Sequence, residues 1–173
     1  MGISIKRATN DDVKMISFIA QSTFPLAGPL NSCKKEISTY IKKNFNELVF
    51  QMLVESDEVF VACAQVDKKL VGFIVMKYLS SQPNNESLNS PAELQRLYVL
   101  EEYHGTNVSK LLVSEAIKEC LKTGIDTIWL SVYSENSRAK KFYSKFGFQE
   151  VGTIYFKMGN EKHLDSIMVA SIA

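Results

Sequence analysis

The sequence predicts a mixed α/β (α+β) domain: a twisted central sheet of six to seven strands with helices on both faces. Two observations predict it. Short runs of β-forming residues alternate with amphipathic helical stretches in the order βααββ, then βαβαββ. Strands joined through helices imply parallel pairs, and direct hairpins imply antiparallel ones, so the sheet is mixed. The 173 residues, 46% apolar and 23% charged, suffice for one full hydrophobic core, and residues 1–173 read as a single domain.

Residues 3–7 alternate apolar and polar, as in a short strand. Thr9 and Asp12 resemble a helix start, and Val13, Ile16, Ile19 and Ala20 follow at helical spacing until residues 24–29 (FPLAGP) break the pattern. Ser32 is placed to cap a second helix running through Ile37, Tyr40, Ile41, Phe45 and Leu48. The kink between Gln21 and Lys34 is a reasonable place for a substrate entrance.

Residues 59–64 and 70–78 form a hairpin around Asp67-Lys68-Lys69, and Gly72 inside it signals a bulge or a close backbone approach. Residues 80–91 (SSQPNNESLNSP) read as a mobile surface loop. Residues 93–99 are a strand, 100–107 a short irregular turn and 108–123 a helix. Residues 126–132 are a further strand. Ala139, Phe142, Tyr143 and Phe146 mark a short helix that Gly147 ends. Residues 148–155 and 165–170 close the chain as two strands joined by a turn around Gly159-Asn160, with His163 exposed in a polar turn.

A net charge of +1 leaves no broad electrostatic surface for nucleic acid or an anionic membrane. Cys33, Cys63 and Cys120 show neither a disulfide framework nor a metal-type pair, and Cys63 and Cys120 read as buried free thiols. No signal-peptide core or membrane-length apolar run is present, so a cytoplasmic protein is expected.

The stretch 93–123 carries the first chemical signal. A strand, a tight turn and a helix start present several unpaired backbone N–H groups to one anion, and the helix adds its positive dipole end. His104, Gly105, Thr106, Asn107, Val108, Ser109 and Lys110 occupy that turn.

The second signal is Asn136-Ser137-Arg138-Ala139-Lys140-Lys141-Phe142-Tyr143-Ser144-Lys145-Phe146-Gly147-Phe148. It is similar, at every fixed position, to the N-x-x-A-x-x-F-Y-x-x-x-G-F signature of the GCN5-related N-acetyltransferases. Leu94-Gln95-Arg96-Leu97-Tyr98-Val99 resembles that family's central strand, and the order of elements agrees over the whole chain. A narrower resemblance, to polyamine acetyltransferases of the PaiA type, rests on residues 128–132, the same helix, and residues 155–159 followed by 165–168.

The resemblance implies transfer of an acetyl group from acetyl-CoA to a primary amine, a polyamine first among the acceptors. It makes residues 104–110 the pyrophosphate cradle, and a backbone N–H among Leu97, Tyr98 and Val99 the donor to the thioester carbonyl. It implies that Tyr143 is the general acid for the leaving thiolate. Asn136, Ala139, Phe142 and Lys145 belong to the helix facing the cofactor, and Asn136 also suits a helix cap. Lys140 and Lys141 are placed for a phosphate or for solvent. Glu93 is the candidate base; an exposed acid at a strand end is an equal reading. A homodimer through the closing strands is compatible with the family.

The chain departs from the family in the cradle. The usual order is Gln or Arg, two residues, Gly, one residue, then Gly or Ala. Counted back from Leu111-Leu112, those positions hold Tyr103, Thr106 and Val108, with Gly105 one place early. A non-catalytic binding or regulatory domain on the same fold is therefore the alternative function.

Overall fold

The computed structural model describes residues 2–83 and 90–173. In chain order the elements are β1 (Ile3–Arg7), α1 (Val13–Thr23), α2 (Lys34–Asn44), α3 (Glu47–Glu55), β2 (Val59–Val66), β3 (Lys69–Lys77), β4 (Ala92–Val99), α4 (Val108–Lys122), β5 (Thr127–Tyr133), α5 (Ser137–Ser144), β6 (Gln149–Met158) and β7 (Glu161–Ser171). Residues 84–89, half of the loop expected at 80–91, lie outside the described residues. One seven-stranded sheet runs in the order β1-β2-β3-β4-β5-β7-β6. Every neighbouring pair is antiparallel except β4 and β5, which the α4 crossover makes parallel.

Alternation along the strands feeds two cores, one on each face. Phe60, Ala62 and Ala64 of β2 meet Val108, Leu112, Val113, Ala116 and Cys120 of α4 on one face. Val59, Val61 and Cys63 meet Ile16, Ile19 and Ala20 of α1 and Phe50 of α3 on the other. A strand buried on both sides reads as a continuous apolar run, which is how residues 59–64 look in the sequence. Cys63 and Cys120 are buried free thiols, and burial pushes both up to about 12. No helix among the described residues is long and apolar enough to cross a membrane.

The second helix expected from the sequence is in fact two. α2 stops at Asn44, and Asn46 starts α3 by accepting a hydrogen bond from Val49 N at 3.0 Å. Such a cap contributes about 1 kcal/mol. The break turns Phe45 into the second core, against Phe24, Tyr40, Phe50 and Tyr98. The closing strands are longer than expected and meet in a tight hairpin at Gly159, whose φ is +58°.

Two bulges adjust the sheet. Opposite Ala64 and Gln65, β3 carries an extra residue at Val71, next to Gly72. Opposite Val75 and Met76, β4 carries an extra residue at Gln95. The second bulge keeps Ala92, Leu94, Leu97 and Val99 on the α4 side of the sheet while Arg96 and Tyr98 face the other.

Candidate active site

β4 and β5 pair only at Ala92 with Ile128 and Glu93 with Trp129. The Gln95 bulge follows at once, and the two strands diverge toward Val99 and Tyr133. The β4 edge that faces β5 beyond Glu93 has no ladder to that strand. A cavity of about 310 Å³ fills the split, lined by Leu94 to Tyr98 on β4 and Ser131 to Tyr133 on β5.

The split opens the sheet, so one cavity is lined from both of its faces. From the α4 side come Ala139 and Tyr143 of α5. From the α1 side come Phe24, Pro25 and Ala27 in the kink after α1, and Tyr40 of α2. β7 supplies His163 and Asp165 on that same side, because Asp165 pairs with Tyr133. The kink at residues 24–29 contributes Phe24, Pro25, Ala27, Gly28 and Pro29 to the cavity wall.

The turn before α4 presents free amides. Tyr103, His104, Thr106 and Leu111 donate to backbone carbonyls, and Val108 N approaches Thr106 Oγ1 at 3.4 Å. Among the described residues, the N–H groups of Gly105, Asn107, Ser109 and Lys110 have no acceptor. They gather at the start of a 15-residue helix, where an anion is favoured by both hydrogen bonding and dipole. Gly105, at φ +77°, is the turn residue that needs the left-handed region. Val108 is helical and 0% exposed, its side chain turned into the α4 core and not toward the amides. One glycine makes the turn, Val108 packs into the core, and the Thr106 hydroxyl folds back onto Tyr103 O at 2.6 Å. His104 sits inward of a surface position, with Nε2 2.8 Å from the carbonyl of Val99, and ties the turn to β4.

A split pair of central strands with an amide cradle at the following helix is an architecture that known proteins share. Residues 24–148 match the Acetyltransferase (GNAT) family. The chain belongs to that family. Spermidine N(1)-acetyltransferase of Thermoplasma acidophilum is 28% identical over 153 residues, 86% of this chain and 89% of that one. An uncharacterized N-acetyltransferase of Mycobacterium tuberculosis is 27% identical over 161 residues, 93% of this chain and 98% of that one. The crystal structure of the Thermoplasma acidophilum PaiA N-acetyltransferase with coenzyme A superposes with a TM-score of 0.82, at 25% identity, over 99% of both chains. The ribosomal-protein-S18-alanine N-acetyltransferase of Escherichia coli shares the fold, with a TM-score of 0.72 at 18% identity over 99% of this chain and 95% of that one.

This GNAT protein is therefore an acetyl-CoA-dependent N-acetyltransferase, and its own residues fit that substrate. The free amides at 105–110 suit the diphosphate, and the cavity lies in the β4–β5 split. Of the residues expected on β4, Leu97 and Tyr98 line the cavity, whereas Val99 is buried at the strand end. Ser109 is half-buried and Lys110 exposed at the first turn of α4. On α5, Asn136, Ala139 and Tyr143 line the cavity. Phe142 packs edge-on against Tyr143 and Phe146, and Lys145 is exposed beyond the helix. Asn136 caps α5 by accepting from Ala139 N at 3.0 Å, and its amide reaches Ala27 O at 3.4 Å. Lys140 pairs with Glu150 at 2.6 Å.

Burial pushes the Tyr143 phenol well above its ordinary value, so it is protonated at neutral pH and able to donate. Glu93 does not line the cavity: one of its oxygens, Oε2, accepts from Ser80 Oγ at 2.9 Å and Gln95 Nε2 at 3.2 Å. Trp129 is core, its indole N–H donating to Ser80 O at 2.7 Å.

Three polar wall residues were not expected from the sequence. His163 lies on β7 instead of in a turn; its side chain is 16% exposed, with Nε2 3.1 Å from Glu161 Oε2. Asp165 stands two residues on, beside the Ser131 hydroxyl. The alternation of Glu161, His163 and Asp165 is the strand signal that could have placed both. Arg96 lies over the rings of Phe45 and Phe50 at 5.1 and 5.2 Å, and its Nη1 has no hydrogen-bond partner among the described residues.

Proposed function

We propose that this enzyme acetylates a primary amine, a polyamine first among acceptors, by direct attack within a ternary complex. The observation that carries it is the cavity lined from both sheet faces. The acetyl donor reaches it through the β4–β5 split from the cradle, and the amine meets it from the side of α2 and β7. Among the described residues no cysteine lines the cavity to take the acetyl group first, and the two buried thiols are held neutral.

Tyr143, on the donor side, supplies the proton to the leaving thiolate. The unpaired β4 edge at Leu97 to Val99 polarises the thioester carbonyl through a main-chain N–H. Asn136 holds the mouth by joining α5 to the kink at Ala27.

Two features support a polyamine. One relative is a spermidine N(1)-acetyltransferase. The cavity wall also carries the Asp165 carboxylate, which suits an ammonium group. The unpartnered Nη1 of Arg96 favours a second reading, an amine acceptor that also bears a carboxylate. A homodimer would use the β6 edge, where Val151 and Tyr155 are exposed.

A CoA-release assay over polyamines, amino acids, peptides with free N-termini and aminoglycosides tests the assignment. Turnover on di- and triamines above the others is expected. Preference for amino acids or peptides supports the Arg96 reading, and no detectable heat with millimolar CoA in calorimetry returns the chain to a non-catalytic role.

A further inference from the structure

We propose that Asp165, on the β7 strand, is the carboxylate that accepts the proton from the attacking amine. The inference rests on the amine N-acetyltransferase reading above and names the base of that same site.

Asp165 is the one carboxylate among the described residues that line the cavity. Glu93, on the central strand, is outside the lining and engaged by Ser80 and Gln95. The position is also right. The leaving sulfur and the attacking nitrogen are different substituents of the tetrahedral acetyl carbon, so one wall can protonate the sulfur while another takes the first proton of the amine. Tyr143 approaches from the α4 face of the sheet. Asp165 approaches from the other face, on the strand that pairs with β5 along the far side of the split.

The proton balance closes with these two groups. The ammonium gives one proton to Asp165, and its nitrogen forms the C–N bond to the acetyl carbon. The C–S bond breaks, its electron pair leaves on sulfur, and the sulfur takes the Tyr143 proton. The second proton of the attached nitrogen restores the phenol. Asp165 releases its proton to water through the cavity mouth.

The surroundings of Asp165 suit the task. Burial pushes its carboxyl up to about 6, with the His163 ring and the Ser131 hydroxyl pulling the other way. It is ionised at neutral pH, yet more basic than an ordinary carboxylate. From α2 it faces the phenol of Tyr40, which also feels Arg96 of β4. From β5 it faces Tyr133, from α5 Tyr143 stands across the cavity, and β6 presents Ile154, Phe156 and Met158. His163 and, beyond it, Glu161 complete the set on its own strand.

The test is the pH profile of kcat/KM for the best amine of the acceptor screen, at saturating acetyl-CoA, from about pH 5 to about pH 9. The parent, Asp165→Asn, Asp165→Glu and Glu93→Gln are compared. In the parent, kcat/KM for the amine falls about tenfold per pH unit below a limb near 6. Asp165→Asn should lose that limb and about 100-fold in kcat, with the acetyl-CoA Kd from calorimetry unchanged. Asp165→Glu should restore a shifted limb, and Glu93→Gln should keep it. An Asp165→Asn enzyme that retains the limb, or a Glu93→Gln enzyme that loses it, overturns the proposal. A parent that binds acetyl-CoA but acetylates no amine overturns the acceptor reading, and the proposal with it.

Discussion

Gly72 packs against Val99 so closely that a Cβ on the glycine would lie 2.9 Å from Val99 Cγ2 and 3.0 Å from Tyr98 O. The bulge at Val71 and the end of β4 are thereby fitted to each other, and the cradle begins where β4 ends. Gly72→Ala should push β4 away, costing about 1–3 kcal/mol of stability in urea unfolding. Acetyl-CoA affinity should weaken as well, because the turn at 100–107 is anchored on that strand through His104 and Val99 O. Unchanged stability and affinity would show that β4 yields without moving the cradle.

Gly105 holds φ +77° with open space where a Cβ would be. Gly105→Ala should therefore cost about 1 kcal/mol through backbone conformation alone. CoA binding, followed by calorimetry, should weaken about tenfold or more if the turn relaxes and redirects its free amides. Gly105→Asn, which tolerates the left-handed region better, should lie between the two.

Tyr143→Phe keeps the ring that packs edge-on against Phe142 and Phe148 and removes the proton. Turnover should fall about 100-fold while acetyl-CoA binding stays within twofold. Equal steady-state activity of variant and parent would remove Tyr143 from the acid role.

Asn136→Ala should cost about 1 kcal/mol, because Ala139 N loses its side-chain acceptor at the start of an eight-residue helix. Its link to Ala27 O is lost too, so KM for the amine should rise more than KM for acetyl-CoA. Equal increases would assign Asn136 to the helix cap alone.

Asp165 also predicts a pH dependence of stability. Its carboxyl moves from an ordinary 3.8 when unfolded up to about 6 when folded, so the folded state holds the proton more tightly. That preference stabilises the fold below about pH 4 and is lost as pH rises through 6. Partial solvation reduces the effect to on the order of 1 kcal/mol. Asp165→Asn should therefore unfold at a higher temperature than the parent at pH 7.5, and the gap should close by pH 4. A variant less stable than the parent at pH 7.5 would mean the carboxylate is stabilised by its neighbours.

The strand runs, the α4 and α5 periodicities and the motif from Asn136 to Phe148 were local patterns, so the sequence alone indicated the family, the element order except for the division of the second helix into α2 and α3, and Tyr143 as the candidate acid. The glycine departure before α4 looked costly in one dimension, because sequence does not say which way a side chain turns. Packing decided that Val108 faces the core and that four amides stay free. The Gln95 bulge, the separation of β4 from β5 and the placing of Asp165 and Tyr143 in one cavity are long-range. Each depends on register between distant strands, so only the tertiary structure could decide them.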